Sequence, residues 1–180
     1  WSAVGWAASS GASPAVNNFP LAQDTCVFEA TGLNSGATIT INQSYNIGTI
    51  DMSARTANTM TLATGTTTPA IYGNWINGTG TTLTGTGRIT FAGRGSQTIT
   101  SAGITFTQPF NIDSHGGSVT LQDALTTSTS AGQAINLNNG TLDLNGKTLT
   151  LSDTTAAAFR TGAGTKTLTF NGGSLVIASA

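Results

Sequence analysis

The most constraining feature of this 180-residue sequence is an apolar pattern that returns at fixed spacing. Ile135, Leu142 and Leu149 are seven residues apart, twice in succession. Residues 141–149 also align with residues 167–175 at an offset of 26, and five of the nine positions are identical. Repeats of about seven residues within a larger period of 21 to 26 are typical of solenoids, in which each coil stacks on the one before it.

Each repeat contains an apolar–polar–apolar triplet, such as Ile39-Thr40-Ile41 or Leu149-Thr150-Leu151. This alternation predicts a short strand with one buried face. Ile89, Ile112 and Ile135 recur at intervals of 23 residues, which is close to the length of one coil. Gly or Asn-Gly separates many of the triplets and favours a corner after each strand.

These features predict an all-β chain folded as a right-handed parallel β-helix of roughly six or seven coils. A strand of about four residues and a corner of about three form one face, and three faces form one coil. At about 4.8 Å per coil the rod is about 30 Å long. Ile, Leu, Val and Phe would stack inside it, and Thr would stack outside.

An antiparallel β-sandwich remains the alternative, because Asn-Gly is also the strongest short hairpin signal. A two-residue turn at Asn145-Gly146 would place Leu142 opposite Leu149 on one face, which is equally sensible. The seven-residue steps and the offset of 26 favour the β-helix.

The composition excludes several classes of function. Charged residues make up 7 % of the chain and the net charge is −1, so no basic surface for nucleic acid is expected. No apolar run is long enough for a membrane-spanning helix, and we expect no membrane insertion. The 35 threonines favour strands, and stacked Thr avoids the repulsion that stacked like charges would cause.

Two parts of the chain depart from the repeat. Residues 1–23 are expected to be an irregular N-terminal cap, and residues 24–180 are expected to be the solenoid. Within the solenoid, residues 152–166 break the seven-residue spacing and predict a loop, with a single helical turn at 156–160. Because residues 174–177 read as an open-edged strand, we expect the chain to be part of a longer protein.

Three segments resemble β-helical modules of phage tail fibres and spikes, and of autotransporter-type bacterial surface proteins. They are GTLDLNGKTLTL at 140–151, GGSVTLQDAL at 116–125 and DTCVF at 24–28. The resemblance implies a structural or adhesive module on a virion, on a cell surface or in the extracellular space. It also implies a homo-oligomer, plausibly a trimer, that contacts other virion or surface proteins, and it carries no catalytic residues.

Asp113 and His115 form the best enzymatic fragment, and it faintly resembles the His-containing loop of pectin hydrolases. Polysaccharide cleavage needs two or three converging carboxylates, and the paired Asp-Asp of those enzymes is missing. A solvated corner, with Asp113 capping a turn, is the simpler interpretation. We therefore expect no enzymatic activity.

Tyr72, Asn74 and Trp75 form an aromatic and amide cluster that suits contact with a glycan. The simpler interpretation is a core strand with one ring buried. Cys26 lies in an apolar run and is expected to be a small buried hydrophobe. The acids show no calcium-loop spacing, so no metal site and no cofactor are expected.

The first functional hypothesis is a non-enzymatic structural module of a virion appendage or decoration. The alternative is a bacterial adhesin module that binds a host glycan. A polysaccharide-cleaving β-helix is the least favoured.

Overall fold

The structure is a computed structural model, and it describes residues 5–130, 132–154 and 157–179. The described residues contain seventeen strands and no helix. In chain order the strands are β1 (Thr25–Val27), β2 (Ala37–Thr40), β3 (Asn46–Ile47), β4 (Thr49–Asp51), β5 (Met60–Ala63), β6 (Ala70–Ile71), β7 (Trp75–Ile76), β8 (Thr81–Thr84), β9 (Ile89–Phe91), β10 (Ser96–Thr100), β11 (Phe110–Leu121), β12 (Leu125–Thr129), β13 (Ile135–Asp143), β14 (Thr148–Asp153), β15 (Phe159–Thr161), β16 (Lys166–Thr169) and β17 (Ser174–Ser179).

The strands stack in parallel as a β-solenoid of about six turns, which confirms the predicted fold class. Every pairing between described strands is parallel, which is incompatible with the antiparallel sandwich. Register partners are 20 residues apart at the shortest, between Ala70 and Thr90, and 26 at the longest, between Leu142 and Leu168.

Each coil has three faces, numbered here in the order in which the chain meets them. Face 1 stacks β1, β4, β7, β10, the second half of β11, the second half of β13, and β16. Face 3 stacks β3, β6, β9, the first halves of β11 and β13, and β15.

Face 2 is interrupted at the fourth coil. It consists of two separate three-stranded sheets, β2-β5-β8 and β12-β14-β17. Between them lies Ile104-Thr105-Phe106, another apolar–polar–apolar triplet that predicts a strand, and here it is reduced to an isolated bridge from Phe106 to Thr127.

The core is a set of apolar columns that run along the rod axis. On face 1, Ile50, Trp75 and Ile99 are consecutive register partners, and all three are buried. On face 3, Phe91 stacks with Ile112 in the same way. Each coil buries its apolar side chains against its neighbours, so stability comes from coil-to-coil contacts.

Threonine fills an outward column of face 2, as predicted. Thr38, Thr61 and Thr82 are register partners on face 2, and Thr126 pairs with Thr150 further along. Stacked β-branched residues pack well on neighbouring strands. These stacked pairs contain no charged side chain.

The prediction of a loop at 152–166 is wrong in part. Phe159–Thr161 forms β15, in register with Ile135–Leu137, and Lys166 begins β16. The strand also replaces the predicted helical turn at 156–160, of which residue 156 lies outside the described residues. The coil keeps its length. The apolar–polar–apolar triplet is not recognisable here, because β15 has the sequence Phe-Arg-Thr, with threonine at the third position.

Residues 5–24 form no strand and lie against the first coil. Trp6 meets Phe28 edge-on, with 5.2 Å between the ring centroids, and Ser10 Oγ donates to Glu29 Oε2 at 3.0 Å. Residues 1–4 of the predicted cap lie outside the described residues.

Candidate functional site

The corner between faces 3 and 1 brings Asp113 and His115 to the surface. β11 runs through this corner with two register shifts, and Gly116 has a φ of 76° that favours glycine. Asn139 of the next coil donates from Nδ2 to Asp113 Oδ1 at 2.6 Å. His115 Nε2 lies 3.6 Å from Asp113 Oδ1 and 3.4 Å from Asn139 Nδ2.

Beside this cluster is an open groove of about 270 Å³, which contains His115 and Asn139. Gly140 forms part of its floor, where an added Cβ would collide with the carbonyl oxygen of Ser114. Lys166 closes the far side, and its Nζ donates to Gly164 O at 2.9 Å. The lining of the groove therefore offers polar groups and the His115 imidazole but no Phe, Tyr or Trp ring.

Asp113 is the single carboxylate of this cluster among the described residues, and the groove lining adds none. Hydrolysis of a glycosidic bond by the usual route needs two carboxyl groups across the bond. His115 cannot activate Ser114 as a nucleophile, because the Ser114 Oγ is buried, faces inward and contacts Phe91 O and Gln97 Oε1. The geometry fits a structural corner, in which the Asn139 amide bridges Asp113 and His115, better than it fits acid–base catalysis.

The aromatic cluster is split by the sheet. Trp75 is 0 % exposed, and its Nε1 donates to Asn77 Oδ1 at 2.8 Å. Asn74 Oδ1 accepts from the backbone N–H of Thr98 at 2.9 Å. Tyr72 is 42 % exposed and is the aromatic member of the cluster that reaches solvent. Trp75 cannot stack on a sugar, so the segment is the core strand of the simpler interpretation.

The carboxylates of four aspartates accept hydrogen bonds from backbone N–H groups in turns. Asp24 accepts from Leu21 N, Asp51 from Ser53 N, and Asp143 from Asn145 N. Asp123 accepts from the backbone of Ser101 and Ala102, both at 2.7 Å. The first three bonds are local and fix turn conformations. Asp123 instead holds a turn of the preceding coil.

No group of three or more His, Cys, Asp or Glu residues is placed to share a metal ion within the described ranges. The part of the chain that the structure describes also has no helix of the length and apolarity needed to cross a bilayer. Arg88 and Arg160 approach each other: burial lowers the pKa of Arg88, and the charge of Arg160 adds to that effect.

Cys26 is buried on the inward side of β1, as predicted. Burial raises the pKa of its thiol far above the usual range, and the negative charge of Asp51 raises it further. Because the thiolate is the reactive form, we expect a thiol-alkylating reagent to leave the folded protein unmodified.

The reaction of Cys26 can be followed by mass spectrometry of the intact protein, with and without denaturant. Modification should be complete in denaturant, which is the control. Rapid modification of the folded protein would contradict the buried position.

No protein-family model, curated protein or solved structure matches this chain significantly. The resemblance to phage-fibre and autotransporter modules therefore gains no support from related proteins. The fold rests on the parallel registers and the stacked core.

Sequence reasoning missed the polar residues of the interior. Arg55, Gln97 and Gln108 are all buried. Gln97, in the fourth coil, donates from Nε2 to Ile71 O and Gly73 O, where the second coil leads into the third. It accepts from Gly93 N, where the third coil leads into the fourth, so it ties these two corners together. No short-range sequence signal distinguishes such residues from outward ones.

Proposed function

We propose that this chain is a non-enzymatic structural module, a stiff rod of a virion appendage or decoration of the tail-fibre or spike type. The observation that carries the proposal is the parallel stack of about six turns around a mainly apolar core. Such a stack supplies reach and presentation, because each coil is stabilised by its neighbours along the axis.

The outer surface supports the same proposal. The Thr columns of face 2 are neutral and short, and the carboxylates of Asp51, Asp123 and Asp143 bind backbone N–H groups of turns. In this setting the chain works on a virion surface or outside cells, beside other virion or surface proteins. The proposal includes a homo-oligomer, and a trimer is the form that the resemblance implies.

The adhesin alternative needs an exposed face that binds a glycan. Tyr72 is the residue of the original cluster that supports it, since its ring is partly exposed. Under this alternative, Tyr72→Ala abolishes retention on a glycan array, whereas Asn74→Ala weakens it. A structural rod shows no retention in either form.

The test begins with antibodies against the chain and electron microscopy of particles and cell envelopes from its source. Labelling along an appendage is the expected result, and labelling confined to the cell interior contradicts the proposal. Analytical ultracentrifugation of the isolated chain then tests for the homo-oligomer.

An assay of polysaccharide cleavage separates the structural module from an enzyme. We expect no product from the native chain, Asp113→Asn or His115→Ala. Product formed by the native chain and lost in both variants would overturn the non-enzymatic assignment.

A further inference from the structure

The corner between faces 2 and 3 contains a column of inward side chains that is apolar in the first coil and polar in most of the later ones. Ile41 N bonds to Ala63 O and Thr64 N bonds to Thr84 O, so both residues continue their strands in register. Further along, Thr129 is the register partner of Asp153. In these coils the column therefore changes from an apolar residue to hydroxyl and carboxyl groups.

Gln108 occupies this column in the fourth coil. Phe106 pairs with Thr127, and Gln108 follows Phe106 by two residues, so it belongs with Thr129. The hydroxyl of Thr107 is 3.4 Å from both Leu83 O and Gly85 O, which places Gln108 over Gly85. Gly85 leaves this column without a side chain in the third coil, and an added Cβ there would lie 2.6 Å from Thr64 Oγ1 and from Gly65 N.

Gln108 is 0 % exposed, yet neither its Nε2 nor its Oε1 has a hydrogen-bond partner among the described residues. Thr127 is also fully buried, and its Oγ1 is likewise unpartnered within the described part of the chain. The other polar members are satisfied: Thr64 Oγ1 donates to Thr84 O at 3.3 Å and Thr129 Oγ1 donates to Asp153 Oδ2 at 2.9 Å.

Three unsatisfied polar atoms thus lie on the inward side of two consecutive coils, on Gln108 in the corner column and on Thr127 in the adjacent column of face 2. A buried polar atom without a partner costs about 1–3 kcal/mol, so such atoms rarely persist unless a ligand binds them. Side chains on diagonal positions of neighbouring strands are about 7–8 Å apart, a span that a glutamine and one small molecule can cover.

The chemistry of the amide selects the ligand. Nε2 supplies two donors and needs an acceptor, whereas Oε1 needs a donor. A metal cation would serve Oε1 alone, and an anion would serve Nε2 alone. Water is both donor and acceptor, and it can also bond the Thr127 hydroxyl. Exchanging the two amide atoms changes nothing, because both lack partners.

We propose that Gln108 and Thr127 form a buried water-binding site at the corner between faces 2 and 3. Its position coincides with the interruption of face 2. No backbone hydrogen bond between described residues joins β8 to the Phe106 segment, whereas Phe106 N bonds forward to Thr126 O at 3.0 Å. Bound water therefore completes the polar bonding at the coil where the strand ladder is missing.

The direct test is water–protein magnetisation transfer by NMR on the native 180-residue chain. The side-chain amide protons of Gln108, assigned by their loss in Gln108→Met, should show through-space contact with a long-lived water. Amide protons of Gln108 without such a contact would overturn the proposal.

Urea unfolding supplies a second readout with matched variants. If water satisfies these groups, Gln108→Met and Thr127→Val remove good hydrogen bonds, so both should lower the urea midpoint. If the groups are unsatisfied, apolar replacement relieves a penalty and the midpoint stays or rises, which overturns the proposal. Thr126→Val, on the exposed side of the same strand, is the control and should leave the midpoint unchanged.

Discussion

Replacing Trp75 with alanine is expected to lower the free energy of unfolding by about 3–5 kcal/mol, because it removes the largest fully buried side chain of the described core. The ring lies in the face 1 column between Ile50 and Ile99. It also meets Phe106 of the fourth coil, with 5.8 Å between the ring centroids. Neighbouring coils cannot collapse into the cavity without losing their own register. Urea unfolding followed by circular dichroism measures the loss.

Tyr72→Ala is the matched control, because this aromatic residue lies three positions earlier and is 42 % exposed. Its loss should cost less than about 1 kcal/mol. Trp75→Phe retains most of the buried volume and should have an intermediate effect. If Trp75→Ala left stability unchanged and abolished affinity for a sugar, the ring would be exposed and the core assignment would be wrong.

The coil architecture was predictable because the spacing of the apolar residues follows the repeat directly. Ile135, Leu142 and Leu149, seven apart, lie on faces 3, 1 and 2 in succession. The offset of 26 is one coil, since Leu142 pairs with Leu168 and Leu149 with Leu175. A strand of period two followed by a corner is a local pattern, and local patterns are what a single sequence shows well.

The recurrence of isoleucine every 23 residues indicates the shared face but not the stacked partners. Ile89 pairs with Phe110, while Ile112 pairs with Phe91, so Ile89 and Ile112 share a face without being stacked partners. Here the coils are short, with Ala70 and Thr90 only 20 residues apart. Such changes in corner length are not periodic, and the sequence therefore left the register of residues 63–88 open.

Asn-Gly could not distinguish a parallel corner from a hairpin, for a physical reason. Asn145 has a φ of 50° and Gly146 a φ of 72°, the left-handed conformation that tight hairpin turns also require. Here Asn145 donates from Nδ2 to Leu121 O, one coil below. The partner that decides between the two folds lies 24 residues away, beyond the reach of turn chemistry.

The candidate site was predictable in its residue types and not in its geometry. Asp113 and His115 are close in the sequence, and the structure places them together at a surface corner. The residues that complete the corner, Asn139 and Lys166, come from later coils. Only the stacking of coils brings them near, so no motif within one coil could have shown the groove.

Arg55→Met is expected to lower the free energy of unfolding by about 3–5 kcal/mol, since the guanidinium is fully buried and holds one corner together. Its Nη1 donates to Glu29 O at 2.8 Å and also contacts Ala30 O and Leu33 O. Its Nη2 donates to Thr59 O at 3.0 Å. The side chain thereby ties the corner of the first coil to that of the second.

Methionine fills most of the same volume but donates no hydrogen bond, so Glu29 O and Leu33 O lose the Arg55 donor. Ala30 O still accepts from Asn58 Nδ2, and Thr59 O still accepts from Gly36 N. Each unsatisfied carbonyl costs about 1–3 kcal/mol, and relaxation of the corner makes the total smaller than the sum. Arg55→Lys keeps a positive charge but replaces the fork of five N–H donors with a single ammonium. We expect it to recover less than half of the loss.

Arg94→Met is the control for the removal of a positive charge, because Arg94 is exposed. It should change the unfolding free energy by less than about 0.5 kcal/mol. Equal losses of unfolding free energy in Arg55→Met and Arg94→Met would show that the net charge, and not the hydrogen bonds of the buried guanidinium, determines the loss. A full recovery by Arg55→Lys would show that the ammonium suffices and that the four carbonyl contacts are not what stabilises this corner.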